Sequence, residues 1–358
     1  MMKNSADYKI KRTPLLLKPY FYSKPSISAI SIKMLILLSV QVVCLFLTHS
    51  FMAIGVILCA TIAAGLGGLI LYFFRKTQPF TIISIVVQGM LIGFLLPETF
   101  PLHTVFILTF VIVIFEQYIF VNCVNCWINI VCLVVVLGWF IGKQFFPDFL
   151  ITSDLLSVKN PSLYLIQNGA IPLKSFDTAV TDFLNNSVFG WFDISLPNGL
   201  ISLLCDNGSI IPAFRFNLVT IISSIFIFGD GSFSKTISFT FICVYVILVR
   251  MFCPLIMGGA FNEGDISLAL YSSGTLFIAV FLLQWYGTHP ITYVGKLVYG
   301  IIAGITAFVI VGCGTSPIGM CYTVLICNII NLFIREIEEY VNDKSIDKII
   351  TNAEVNKG

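Results

Sequence analysis

Two cysteines spaced as Cys123-Val124-Asn125-Cys126 have the residue type and spacing most directly suited to chemistry, because a C-x-x-C pair can share a metal or cycle between dithiol and disulfide. No second pair follows at the spacing a closed four-thiolate site needs. A metal or redox centre here would be completed by another subunit, and the alternative is a pair of small apolar side chains. Glu116 and Arg250 are the next candidates, since each falls in a long apolar segment. There they are either functional groups, because burying a charge in hydrocarbon costs several kcal/mol, or they snorkel to an interface. The histidines His49, His103 and His289 lie in different connecting segments, where an isolated imidazole is ordinarily solvated. No Walker loop, H-E-x-x-H or G-x-S-x-G is present, which argues against the familiar hydrolytic and phosphoryl-transfer sites. The chain likewise has no Rossmann fingerprint and no cluster-ligand set of its own.

The segments that would position these groups follow from composition. Of 358 residues, 58% are hydrophobic and only 11% charged, with a mean hydropathy of +0.97. A soluble chain carries about a quarter of its residues as charges, so this is an integral membrane protein. The apolar runs are continuous in Ile, Val, Leu and Phe. That pattern excludes a barrel of alternating strands and requires helices that satisfy their own backbone. A net charge of +2 with no basic patch interleaved with stacking aromatics excludes nucleic acid as a partner. Cysteines such as Cys44, Cys59, Cys132, Cys243, Cys313, Cys321 and Cys327 sit inside apolar runs and imply no disulfide framework. Gln41, Gln88 and Asn328 read as polar contacts between helices. Gly65, Gly67, Gly68, Gly300 and Gly304 read as points of close helix approach.

The predicted fold is all-α, a polytopic bundle of about ten transmembrane helices, near 34–48, 52–74, 80–97, 103–120, 127–146, 217–229, 236–256, 267–285, 296–312 and 317–334. With both termini cytoplasmic, most Lys and Arg fall inside, as the positive-inside rule requires. Residues 1–33 form a cytoplasmic tail, too long and basic for the n-region of a cleaved signal. Residues 34–146 form a first five-helix half, 213–334 a second and 335–358 a cytoplasmic tail. The extracytoplasmic segment 147–212 is rich in Asn, Ser, Asp and Pro, and a loop that long is usually functional. A division into five and five inverts one half relative to the other, the plan of inverted-repeat transporters. On this plan alone, a solute channel of the urea or ammonium type is the alternative.

The sequence also resembles a known family across nearly its whole length. Lys18-Pro-Tyr-Phe-Tyr-Ser-Lys-Pro-Ser-Ile-Ser precedes the first span, Tyr271-Ser-Ser-Gly-Thr-Leu-Phe lies in the eighth, and Pro290-Ile-Thr-Tyr-Val-Gly-Lys-Leu-Val-Tyr-Gly enters the ninth. Pro317-Ile-Gly-Met-Cys-Tyr-Thr-Val-Leu-Ile-Cys-Asn328 forms the tenth. In this order they resemble the RnfD/NqrB family, membrane components of the Rnf electron-transport complex and of the related sodium-translocating NADH:quinone oxidoreductase.

The resemblance implies one component of an ion-translocating ferredoxin:NAD oxidoreductase in the bacterial inner membrane, coupling electron transfer to Na+ or H+ movement. It also implies FMN attached through its phosphate to a threonine of the outer loop, within a motif near D-x-x-(S/T)-(G/S)-A-T-P-L. Ser175-Phe-Asp-Thr-Ala-Val-Thr-Asp-Phe-Leu184 corresponds to it. Thr181 falls on the modified threonine and Thr178 on the preceding hydroxyl. Ser175 replaces the acid, Val180 the alanine and Asp182 the proline, and Asp177 offers an acid from a shifted position. Further implied partners are the other subunits of the complex, a flavin transferase and membrane lipid. A second, non-covalent flavin such as riboflavin has no residue assigned, because Phe120-Val-Asn-Cys-Val-Asn-Cys-Trp-Ile-Asn and Tyr286-Gly-Thr-His-Pro290 depart from the family's glycine-rich and "ATDP" stretches. A flavin-free scaffold protein is the remaining alternative.

Overall fold

A computed structural model describes residues 26–75, 79–120, 127–147, 160–192, 195–229, 231, 233–256, 261–285, 287–312 and 316–355. Within these the chain is helical, with no strand. The first five helices are α1 (Ile27–Leu47), α2 (Phe51–Arg75), α3 (Pro79–Leu95), α4 (Leu102–Phe120) and α5 (Ile130–Gly142). The segment expected as an unstructured loop contains short helices: α6 (Pro161–Gln167), α7 (Asp177–Ser187), α8 (Leu200–Cys205) and α9 (Pro212–Arg215). The second set comprises α10 (Asn217–Gly229), α11 (Lys235–Ile256), the pair α12 (Ile266–Tyr271) and α13 (Thr275–Phe281), α14 (Tyr293–Val311) and α15 (Gly319–Val355).

Among the described residues, five helices are long and apolar enough to cross a membrane: α1, α2, α11, α14 and α15. Shorter apolar stretches in α3, α4, α5 and α10 accompany them. The protein is therefore an all-α, multi-pass membrane protein. Its surface supports this, because Phe46, Phe74, Phe115, Phe239 and Val309 are exposed while Gln41, Gln88, Thr109, Glu116 and Asn331 are buried. A bundle bathed in hydrocarbon must turn its polar side chains inward.

Helix pairings in the first five recur in the second set. The neighbours α1 and α3, α2 and α3, α2 and α4, α3 and α5, and α4 and α5 correspond to α10 and α13, α11 and α12, α11 and α14, α13 and α15, and α14 and α15. The two sets meet through equivalent members, α1 with α10 and α5 with α15. Gln41 Nε2 donates to Thr220 Oγ1 across the first of these seams at 3.1 Å. Elsewhere between the two sets, Asn129 caps α5 by accepting from the Cys132 amide and donates its own amide to the Leu282 carbonyl, just past α13, at 3.1 Å.

Three elements differ from expectation. The eighth span is broken: Gly274 takes a φ of +69°, and the hydroxyls of Ser273 and Thr275 both donate to the Ala269 carbonyl. A small-residue run inside an apolar window therefore bends the helix as well as packing it. The fifth span begins only at Ile130, where Asn129 caps it. The tenth continues unbroken to Val355, so part of the expected cytoplasmic tail is helix. Near its middle Glu338 accepts from the amides of Ile291 and Thr292 at 3.1 and 2.9 Å, placing a carboxylate at the N-terminus of α14. Cys253 is disulfide-bonded, which a reading of the cysteines as small hydrophobes did not foresee. The glycines expected at close contacts include Gly68, whose added Cβ would lie 3.0 Å from Ile85.

Candidate functional site

Thr181 lies in the second turn of α7, and its position follows from how that helix is turned. Asp177 and Thr181, four residues apart, share one face, and both are wholly buried. The opposite side carries Phe176, Val180 and Phe183, the last 65% exposed. The helix thus buries Asp177 and Thr181 and leaves Phe176, Val180 and Phe183 exposed.

The buried face is held by one carboxylate. Asp177 Oδ1 accepts from the Gly199 amide at 2.7 Å, and Oδ2 accepts from the Ser202 amide and hydroxyl at 2.5 and 2.7 Å. Gly199, with a φ of +101°, precedes α8, so the carboxylate satisfies N–H groups that a helix start otherwise leaves open. Thr181 Oγ1 donates to the same Asp177 Oδ1 at 3.3 Å. Ser202 Oγ in turn accepts from the Lys174 amide at 3.0 Å.

A second acid fastens the far end of α8. Asp206 Oδ2 lies 2.8 Å from Lys174 Nζ, and Oδ1 lies 2.6 Å from Arg215 Nε. Burial works to raise the Asp206 pKa, but hydrogen bonds from Arg215 and Lys174 prevail and hold it below its ordinary 3.8. The Cys205 thiol between the two acids is pushed above its ordinary 9.0, first by burial and then by the charges of Asp177 and Asp206. Asn207 and Asn217 both donate to the Tyr271 carbonyl at 2.9 Å, binding the outer segment to the broken eighth span.

FMN bonded through its phosphate to Thr181 does not fit this arrangement. The hydroxyl has no exposed surface and donates its hydrogen to Asp177, a hydrogen that an ester would remove. A phosphodiester would set a second negative charge against a buried carboxylate, a costly pairing of like charges. Lys174 and Arg215 are engaged by Asp206. Thr178, the other hydroxyl of the motif, is on the exposed side of α7.

Within the bundle, Glu116 is 1% exposed, so it does not snorkel. Gln88 Nε2 on α3 donates to Glu116 Oε1 on α4 at 3.0 Å. Glu116 Oε2 and Gln88 Oε1 are both buried with no hydrogen-bond partner among the described residues. Two buried oxygens thus keep open lone pairs inside the bundle. Sequence reasoning named both residues without joining them, because 28 positions separate them and only the packing of α2 brings α3 and α4 into register. Arg250 is exposed and donates to the Gly264 carbonyl at 2.9 Å, closing the loop after α11.

His49 and His103 are exposed. His289 is partly buried, and burial pulls its pKa below the ordinary 6.5. Among the described residues no group of three or more His, Cys, Asp or Glu could hold a metal. Cys123 and Cys126 lie outside the described residues.

A family model described as the NQR2, RnfD, RnfE family matches residues 16–346. No curated protein matches the chain.

Proposed function

Because the chain belongs to the NQR2, RnfD, RnfE family, we propose that it is the component of an Rnf- or Nqr-type membrane complex that offers Na+ or H+ an intramembrane binding position. The observation that carries this reading is the Glu116–Gln88 pair. A carboxylate in hydrocarbon is costly unless something neutralises it, and a bound proton or small hard cation does so. The unpartnered oxygens of Glu116 and Gln88 are donors of the type such cations take. If it is of the Rnf type, the whole complex would pass electrons between reduced ferredoxin and NAD, substrates that bind its other subunits. It would sit in the cytoplasmic membrane with both termini inside and residues 147–212 outside.

Covalent FMN on Thr181 has no part in this reading because the hydroxyl is enclosed beside Asp177. This reading assigns the chain the ion position and does not depend on which groups of the complex carry the electrons.

The test is Glu116→Gln in the assembled complex reconstituted into vesicles. The substitution preserves shape and removes the charge. Electron transfer continues while ion uptake falls by at least tenfold. Unchanged uptake per electron in a fully assembled variant would sink the proposal.

A further inference from the structure

We infer that Thr181 is a structural hydroxyl of the outer segment and not a site of flavin attachment. Four observations converge on this. Thr181 is wholly buried. Its Oγ1 is a donor to Asp177, whose two oxygens also receive Gly199 N, Ser202 N and Ser202 Oγ. Asp177 thereby becomes a staple between α7 and the start of α8, and four hydrogen bonds to one carboxylate leave it no free lone pair in the plane. Ser175, Val180 and Asp182 stand where the flavin motif has an acid, an alanine and a proline.

The replaced positions have structural consequences. Without proline at 182, α7 runs continuously from Asp177 through Thr181 to Ser187, so residue 181 falls inside a helix. Val180 is 37% exposed and belongs to the outward apolar face. The shifted acid, Asp177, points inward, where it organises Gly199 and Ser202. The segment thus keeps the motif's threonine while its neighbours commit that threonine to packing. This inference stands apart from the ion reading at Glu116, and each can fail without the other.

The experiment uses the full chain in membranes of a host with an active flavin transferase. A carrier protein with an unaltered flavin motif, made in the same cells, shows that the transferase works. Under ultraviolet light a denaturing gel shows the carrier band fluorescent and the chain dark, and the intact mass of the chain is that of the unmodified polypeptide. A fluorescent chain band that disappears in Thr181→Ala overturns the inference. Fluorescence kept in Thr181→Ala and lost in Thr178→Ala supports it, placing the flavin on the outward hydroxyl.

A second measurement tests the staple itself. Limited proteolysis between residues 160 and 216 reads the local stability of the segment. Cleavage rises about tenfold in Asp177→Asn and about threefold in Thr181→Val, in line with the loss of charge-assisted and neutral hydrogen bonds respectively. Cleavage unchanged in Asp177→Asn overturns the inference as well.

Discussion

Arg215 grips Asp206 with two nitrogens, Nε to Oδ1 at 2.6 Å and Nη2 to Oδ2 at 3.1 Å, while its Nη1 reaches Ser50 Oγ at 2.5 Å. One guanidinium therefore joins the outer segment to the turn between α1 and α2. Such a bidentate pair fixes direction as well as distance. Because the pair lowers the folded pKa of Asp206, its contribution is whole above the unfolded value of 3.8 and is lost as pH falls through the lower folded value. Amide exchange in residues 199–217, corrected for intrinsic rates, should stay protected at about pH 5 and lose protection at the acid end. Arg215→Ala should shrink this pH step to the part that Lys174 still holds and cost about 2 kcal/mol, between the values for exposed and buried pairs.

Burial first, and then the charges of Asp177 and Asp206, raise the pKa of Cys205 and keep it a thiol at neutral pH. Alkylation at about pH 7.5 should be several-fold slower than for an unhindered cysteine, since only the thiolate attacks. Asp206→Asn removes one of the nearby charges and should accelerate it. Peptide mass spectrometry resolves this cysteine from the others, and an unchanged rate in the variant would refute the electrostatic account.

Gly274 and Gly55 form a contrasting pair. A Cβ on Gly274 would lie 2.1 Å from Phe214 Cε1, on a backbone with φ +69°, whereas Gly55 has nothing within 4 Å. Gly274→Ala should cost roughly 3 kcal/mol or more through strain and overlap and leave little monodisperse protein on size-exclusion chromatography. Gly55→Ala, inside α2, should be neutral or stabilise by about 0.5–1 kcal/mol.

Asn129 is buried, caps Cys132 and bonds the Leu282 carbonyl. Asn129→Ala strands both groups at the seam of the two halves, at a cost of about 2–3 kcal/mol. Thermal unfolding in detergent should show a lowered midpoint, with Asn129→Asp intermediate because it keeps the cap and loses the donor.

Much of the bundle was legible because a run of about twenty apolar residues has few other outcomes in a membrane protein. The break at Ser272–Gly274 was not, since Ser and Gly inside an apolar run read equally as close packing. The helices of the outer segment escaped notice because α6 and α8 have 7 and 6 residues, too few for a periodicity to register. Thr181 was located by motif alone. Its burial depends on Gly199 and Ser202, and no local pattern encodes a contact with residues that far along the chain. Glu116 stood out as a charge in an apolar run, but its partner Gln88 could be found only once α3 and α4 were packed.

The last helix is also a mechanical element. At about 1.5 Å per residue its 37 residues extend about 55 Å, against about 30 Å of hydrocarbon. The clasp of Glu338 on Ile291 and Thr292 lies about midway along the rod, and about 25 Å continues beyond it. Rocking this rod by about ten degrees around that fulcrum would sweep its tip through about 4 Å. A partner pushing on the tip would move the start of α14 with it, giving the complex a lever arm into the membrane bundle.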